Sequence, residues 1–382
     1  SDVYKRQVID STYVLYKDID LAVFVDDFTI EASGKCAVVL VAKATDHVIT
    51  FFEKGLNMEI SSTKSVVLGA KPSISNKVVA RMHSGKVSAV KQAKLLGTPS
   101  GGGRRRSTKA SKQRIVKVKA TIPRLHALRR LRVRTTLMAR AAATPALTYG
   151  CEICGFSDSH LDQTRSVVAR AGSPEGSGKD PNLILMILDG PKGTLDSAFD
   201  AHCLPIMRWA QAWYENWQSP GALTQAFADA KLKVARAKRS VWDVAARPVA
   251  GLLGTMARIK WEHNGPSILS DDVGRVFNCK IDPPVVIANA VKDSVRRWRL
   301  AKAAAKFPAL VPEKPDYIDP RMTEELFRND GLLPHGTIAL ATSVTKLLDR
   351  RGHKSLQFPE WHAKHQACLL YTSPSPRDLK LS

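Results

Sequence analysis

Between Glu59 and Glu152 the chain has no acidic residue, while lysine and arginine recur throughout and are densest over residues 81–140. A solvated face ordinarily interleaves both signs, so a stretch this one-sided points to a polyanionic partner. The sequence also lacks an uninterrupted apolar run of transmembrane length and a signal-peptide pattern. With a formal net charge of +23, these absences put nucleic acid ahead of a membrane as the expected partner. The six cysteines are scattered at 36, 151, 154, 203, 279 and 368, and the expectation is an intracellular protein with reduced thiols. Cys151 and Cys154 form a single Cys-x-x-Cys, and the second ligand pair that a structural zinc site needs is missing nearby. A phosphate-binding loop is excluded too, because Gly176-Ser177-Gly178-Lys179 lacks the upstream glycine spacing and is followed by Asp180 where Ser or Thr would hold magnesium.

What is present is organised around residues 21–31, where two apolar, β-prone runs meet at Asp26 and Asp27. That pattern predicts a tight hairpin with two carboxylates on its tip. Two readings stand for the pair: a turn, since Asp bonds its own backbone in turns, or a place to hold a metal. The periodicity predicts strand, turn and strand over residues 8–32, then a helix from Ser33 to Lys54 with Val38, Ala42, Thr45, Ile49 and Phe52 on one face and Gly55 as its stop. Short strands are expected at 56–60 and 65–68, with Lys64 on the connection, and two more strand-like runs over 77–97. Strands with one covering helix make an α+β layer.

The order of motifs resembles the C-terminal half of the palm of a reverse transcriptase encoded by non-LTR (LINE-type) retrotransposons. The residues that carry the resemblance are Phe24-Val25-Asp26-Asp27, the stretch Gly55-Leu56-Asn57 leading to Lys64, the turn Leu95-Leu96-Gly97, and Pro145-Ala146-Leu147-Thr148-Tyr149-Gly150-Cys151-Glu152. It covers about residues 23–155. The resemblance implies an RNA-directed DNA polymerase with two Mg²⁺ ions, acting on an RNA template and a DNA primer. Asp26 would be the main metal ligand from the hairpin and Asp27 a supporting one. Lys64 would act on the triphosphate or the leaving pyrophosphate, and Leu95, Leu96 and Gly97 would form the primer grip. The family's first metal-binding aspartate and its nucleotide loop precede the hairpin by more residues than stand here, so a truncated, inactive piece is expected. The competing expectation is a non-catalytic basic protein that binds RNA or DNA. The dispersed carboxylates of a ribonuclease H domain, which some relatives carry, are not found.

The expected organisation is a partial palm over 8–98, a basic loop and thumb-like helix over 99–155, a linker over 156–198, a Trp-rich helical region over 199–307, and a Pro-rich connector with short helices over 308–367. Residues 1–7 and 368–382 resemble translated sequencing adapter and are expected to stand outside the fold. Arg104, Arg105 and Arg106 in the Gly-rich loop are read either as phosphate contacts or as a nuclear-import signal, or as merely solvated. Pro123 is expected to open a helix with Leu125, Leu128, Leu131, Thr135, Met138 and Ala142 on one face. Arg124, Arg129, Arg130, Arg132, Arg134 and Arg140 cover the rest, and the absence of acids there favours phosphate contact. Trp209, Trp213 and Trp217 share a helical face and read as core. Arg296, Arg297, Arg299 and Lys302 around Trp298 read equally as nucleic-acid contacts or a solvated helix end.

Overall fold

The computed structural model describes residues 2–102, 107–131, 133–173, 180–189, 194–238, 240–245 and 247–306. The chain divides into two compact units, 1–107 and 108–382. Helices predominate and the sheets are small and separate, an α+β composition.

In the first unit, α1 (Asp2–Leu15) leads into a hairpin of β1 (Asp20–Phe24) and β2 (Asp27–Glu31), followed by α2 (Ala37–Thr50), which ends in a π-helical turn at Phe51–Gly55. Then come β3 (Val66–Val67), α3 (Pro72–Val79), β4 (Ser88–Ala89), and a second hairpin of β5 (Gln92–Leu95) and β6 (Thr98–Gly101). In the first hairpin Leu21 stands opposite Ile30 and Val23 opposite Phe28. Because side chains alternate along a strand, these apolar pairs share one face. Phe28 and Ile30 pack on a cluster of Val8, Val48 and Phe52 from α1, α2 and the π turn, with the Phe28 ring edge-on to Phe52 at 5.0 Å. A second cluster joins Ala42 and Ile49 of α2 to Val67, Val78 and Val87, closing the β3-α3-β4 unit, whose strands pair in parallel.

Three expectations are corrected in this unit. Residues 8–15 are helix, not strand, because Val8 and Thr12, one helical turn apart, are both fully buried and the Thr12 hydroxyl donates to the Val8 carbonyl. Residues 2–7, expected to stand apart, belong to the same helix, and Tyr4 packs edge-on to Phe52. Residues 56–60 form no strand; the two strand-like runs expected over 77–97 are β4 and β5, preceded by the helix 72–79, for which Pro72 supplies a favourable first position.

The second unit begins with α4 (Lys109–Arg130), α5 (Thr135–Met138), a π turn at Ala139–Ala143, α6 (Thr144–Thr148) and α7 (Cys151–Cys154). It continues through α8 (Asp158–Gly172), α9 (Pro181–Asp189), α10 (Ser197–Tyr214), α11 (Pro220–Ala235) and α12 (Pro248–Arg258). A three-stranded antiparallel meander, β7 (Glu262–His263), β8 (Ile268–Ser270) and β9 (Val276–Asn278), precedes the long α13 (Pro284–Lys306). Ile115, Val118, Ile122 and Leu125 of α4 pack with Val167, Val168, Ile184 and Leu195. A larger cluster gathers Trp209 and Trp213 of α10 with Trp242, Leu252, Met256, Trp261, Ile287, Val291 and Val295.

The stretch 156–198, expected to be a linker, carries α8 and α9, and their buried faces are part of the core. Pro123 does not open a helix; it lies inside α4, which starts fourteen residues earlier at Lys109. The buried residues at 115, 118, 122 and 125 set its core face, and the face predicted from Leu125 to Ala142 breaks at Leu131 into separate short helices. Trp209 and Trp213 are core as expected, whereas Trp217 lies past the end of α10 and is exposed.

Backbone close approach fixes the junction of α7 with α12. Gly155 has φ +59, and a Cβ there would meet the Trp242 ring at 2.6 Å. Gly251 of α12 lies against the backbone of Cys154 and Gly155, so the Gly that follows Cys-x-x-Cys is where Trp242 and α12 pack closest.

Candidate functional site

The hairpin tip is a two-residue turn, Val25-Asp26, closed by Phe24 opposite Asp27. Asp26 is on the turn, as expected, while Asp27 begins β2 on the open face beside Phe24. Phe24, Val25, Asp26 and Asp27 are all exposed, and among the described residues neither carboxylate has a hydrogen bond or ion pair. Val25 has φ +54. A β-branched side chain rarely adopts this left-handed value, which costs roughly 1–3 kcal/mol and favours glycine. The tip therefore stores strain next to two unpaired carboxylates, where a plain connecting turn would carry Gly or Asn.

Lys64 is exposed on a turn in which its amide donates to the Ser61 carbonyl at 3.2 Å. It shares no hydrogen bond or ion pair with Asp26 or Asp27. Leu95 ends β5, and Leu96 and Gly97 form the two-residue turn to β6, with φ of +45 and +83. Positive φ at both central residues is the pattern of a type I′ hairpin turn, and it presents the half-exposed Leu95 and Leu96 at a loop tip.

The two Mg²⁺ ions that the resemblance implies do not fit the described residues taken alone. Mg²⁺ requires near-octahedral oxygen ligands, and a two-ion site needs carboxylates from more than one segment. Among the described residues no group of three His, Cys, Asp or Glu side chains converges to hold a metal. Cys151 and Cys154 are buried, and burial, reinforced by Glu152 and Asp200, pushes the Cys151 thiol well above its ordinary range.

The basic residues fall into distinct environments. Arg104, Arg105, Arg106 and Arg132 lie outside the described residues. Arg124 and Arg130 are exposed on α4, and Arg134 is exposed just before α5. Arg129 is turned inward, where it donates to the Gly172 carbonyl and to the Thr136 hydroxyl at 3.3 Å, so it ties α4 to α8 and α5. The reading from Pro123 missed the first half of α4. Lys109, Lys112, Lys117 and Lys119 are exposed there, and with Arg124 they lie opposite the buried row Ile115, Val118, Ile122, Leu125. None of these five cations has an ion pair among the described residues. The 3-4-3 spacing of those apolar residues was the signal that would have found them.

Arg296, Arg297, Arg299 and Lys302 are placed otherwise. Arg299 is buried with its Nη1 3.0 Å from Asp189 and its Nε 3.1 Å from Asp196. Arg165 of α8 adds a forked contact to Asp196, from Nε at 3.0 Å and Nη2 at 2.9 Å. Burial works to raise the Asp196 carboxyl, but the two guanidiniums outweigh it and hold the group below its ordinary range. Arg296 pairs with Asp293 at 2.6 Å, Arg297 with Asp272 at 2.6 Å and Lys302 with Asp162 at 3.4 Å.

Among the described residues no helix is long and apolar enough to cross a membrane. Comparison with protein-family models, with curated proteins and with solved structures returned no match.

Proposed function

We propose that this chain carries the hairpin, grip and thumb elements of a non-LTR retrotransposon reverse transcriptase, and that it holds an RNA template and DNA primer through phosphates along α4. The observation that carries the reading is the α4 face of Lys109, Lys112, Lys117, Lys119 and Arg124, exposed, without an ion pair among the described residues and drawn from a segment without acids. From Lys109 to Arg124 such a face is about 22 Å long, enough to follow a duplex backbone for several phosphates. The polymerase part is supported by the order of elements: a strained two-carboxylate hairpin, a covering helix, a lysine on a turn, and a second hairpin with an apolar tip. The outer edges of the first hairpin pair with no further strand among the described residues, which is room for the rest of a palm sheet.

A second reading, a non-catalytic protein that binds RNA or DNA, is favoured by one observation: among the described residues no third His, Cys, Asp or Glu joins Asp26 and Asp27. Both readings share the α4 interface. Replacing Lys112, Lys117, Lys119 and Arg124 by Gln should reduce the slope of log affinity against log salt by about 3–4 on a 20-bp RNA–DNA duplex. An unchanged slope in fluorescence anisotropy would sink the interface. Manganese separates the readings. Under the first, Mn²⁺ broadens the amide resonances of residues 24–28 and Asp26→Asn removes the broadening; under the second, the two proteins respond alike.

A further inference from the structure

We infer that the second unit has another nucleic-acid contact, separate from α4, where α11 ends and the chain turns toward α12, and that its ligand is a single strand. Residues 231–247 contain six cationic side chains against one carboxylate, Asp243. Lys231, Lys233, Arg236, Lys238 and Arg247 are exposed, and none has an ion pair among the described residues. The bland account is that cations in the last turn of a helix complement its dipole. That accounts for Lys233 in the last turn of α11 and for Arg236 at its cap, but not for Lys231, which precedes that turn, or for Lys238 and Arg247, which lie beyond the helix.

What singles the patch out is how the unit uses its carboxylates. Asp158, Asp162, Asp180, Asp189, Asp196, Asp271, Asp272 and Asp293 are each committed to a particular cation elsewhere. Asp229, Asp243 and Glu262 lie near the patch but form no ion pair with its cations among the described residues, so a phosphate backbone can serve as their counter-charge. Shape selects the form of that backbone. On α4 the cations lie along one continuous helix, which a stiff duplex can follow. Here they pass from the last turn of α11, through the connection that holds the 3₁₀ turn Val241–Asp243, to Arg247 at the start of α12. A flexible strand can follow cations spread over two helix ends and the connection between them. Leu232, exposed between Lys231 and Lys233, gives a base an apolar surface.

The test uses the full chain, with Lys231→Gln, Lys233→Gln, Arg236→Gln and Lys238→Gln combined, and the α4 variant beside it. The probe is a fluorescein-labelled 20-nucleotide RNA without secondary structure, titrated at several salt concentrations. The patch variant should lose about 3 from the salt slope, which is about 10²-fold in affinity near 0.15 M salt, and should lose less on a 20-bp duplex. An unchanged slope on the strand overturns the inference, and so does an equal loss on strand and duplex. Intact RNA binding with lost binding to phosphatidylserine vesicles also overturns it, in favour of a membrane surface. Because the α4 variant is measured separately, failure of this patch leaves the α4 interface standing, and the reverse. If the fourfold variant fails to fold by circular dichroism, Lys231→Gln with Lys238→Gln should show about half the slope change.

Discussion

The two long basic helices, α4 and α13, use the same residue types for opposite ends. Arg296, Arg297, Arg299, Lys302 and Lys306 of α13 each meet a carboxylate, and four of the five meet one supplied by a distant segment. Lys109, Lys112, Lys117, Lys119 and Arg124 of α4 meet none among the described residues. Their apolar stripes pack alike, so the difference lies in the surroundings. Cationic density therefore says little about nucleic acid until the acids within reach are known. On α13 four of the five charges link the helix to distant segments; on α4 these five make no ion pair among the described residues.

The sharpest way to break the comparison is to remove an acid from the α13 set. Asp196 is fully buried between Arg165 and Arg299 and also caps α10 by accepting from the Ala198 amide at 2.9 Å. Asp196→Asn should destabilise the second unit by roughly 3–5 kcal/mol, because the buried Arg165 loses its carboxylate partner and Arg299 keeps only Asp189. Chemical denaturation of the unaltered and variant chains checks this. Nucleic-acid affinity of the still-folded fraction should stay the same, and a loss larger than the unfolded fraction explains would mean that the ionic core and the binding face are not separate.

A pH titration probes the same core less severely. His202 of α10 is fully buried beside Trp298, with its Nδ1–H donating to the Ala198 carbonyl at 2.6 Å. Burial first, and then the charge of Arg258, lower its pKa to about 3. A base whose folded pKa is depressed takes up its proton more readily when unfolded, so stability falls as pH drops below the unfolded value of about 6.5, by up to about 1.4 kcal/mol per pH unit. The thermal midpoint of the second unit should decline from about pH 6.5 downward, and His202→Gln should flatten that decline. A midpoint independent of pH between 6.5 and 4 would show the imidazole to be accessible and the α10–α13 packing looser than described. Asp196, whose folded pKa is depressed, adds its own loss only at lower pH, below about 4.

How much of this was legible in the sequence follows the range of the forces involved. The hairpin at Asp26 was readable because strand alternation and a two-residue turn are local, and so was α2, whose stripe runs through Ala42 and Ile49. The helix at 8–15 was not, since only packing on Val48 and Phe52 decides between helix and strand for a short apolar run. The true start of α4 was obscured by Pro123, which ordinarily marks a helix boundary but is exposed and tolerated mid-helix here. The roles of Arg299 and Lys302 were hidden because their partners, Asp189, Asp196 and Asp162, are more than a hundred residues away. The strain at Val25 had no signature at all, since a β-branched residue is the last one expected at positive φ.

The mildest test is at the solvent edge of α13. Arg296 pairs with Asp293 one turn back, and both side chains are about two-fifths exposed. An exposed pair of this kind contributes little, because water and salt screen it and two side chains must be held in place. Arg296→Gln should therefore change the denaturation midpoint by no more than about 0.5 kcal/mol equivalent. Its influence on RNA binding is the informative part. If a cation needs only exposure to bind nucleic acid, Arg296→Gln should lower the salt slope as much as any single α4 substitution, by about 0.7–0.9. If the cation must also lack an acid, the slope should not move, because Asp293 already supplies the counter-charge that a phosphate would bring.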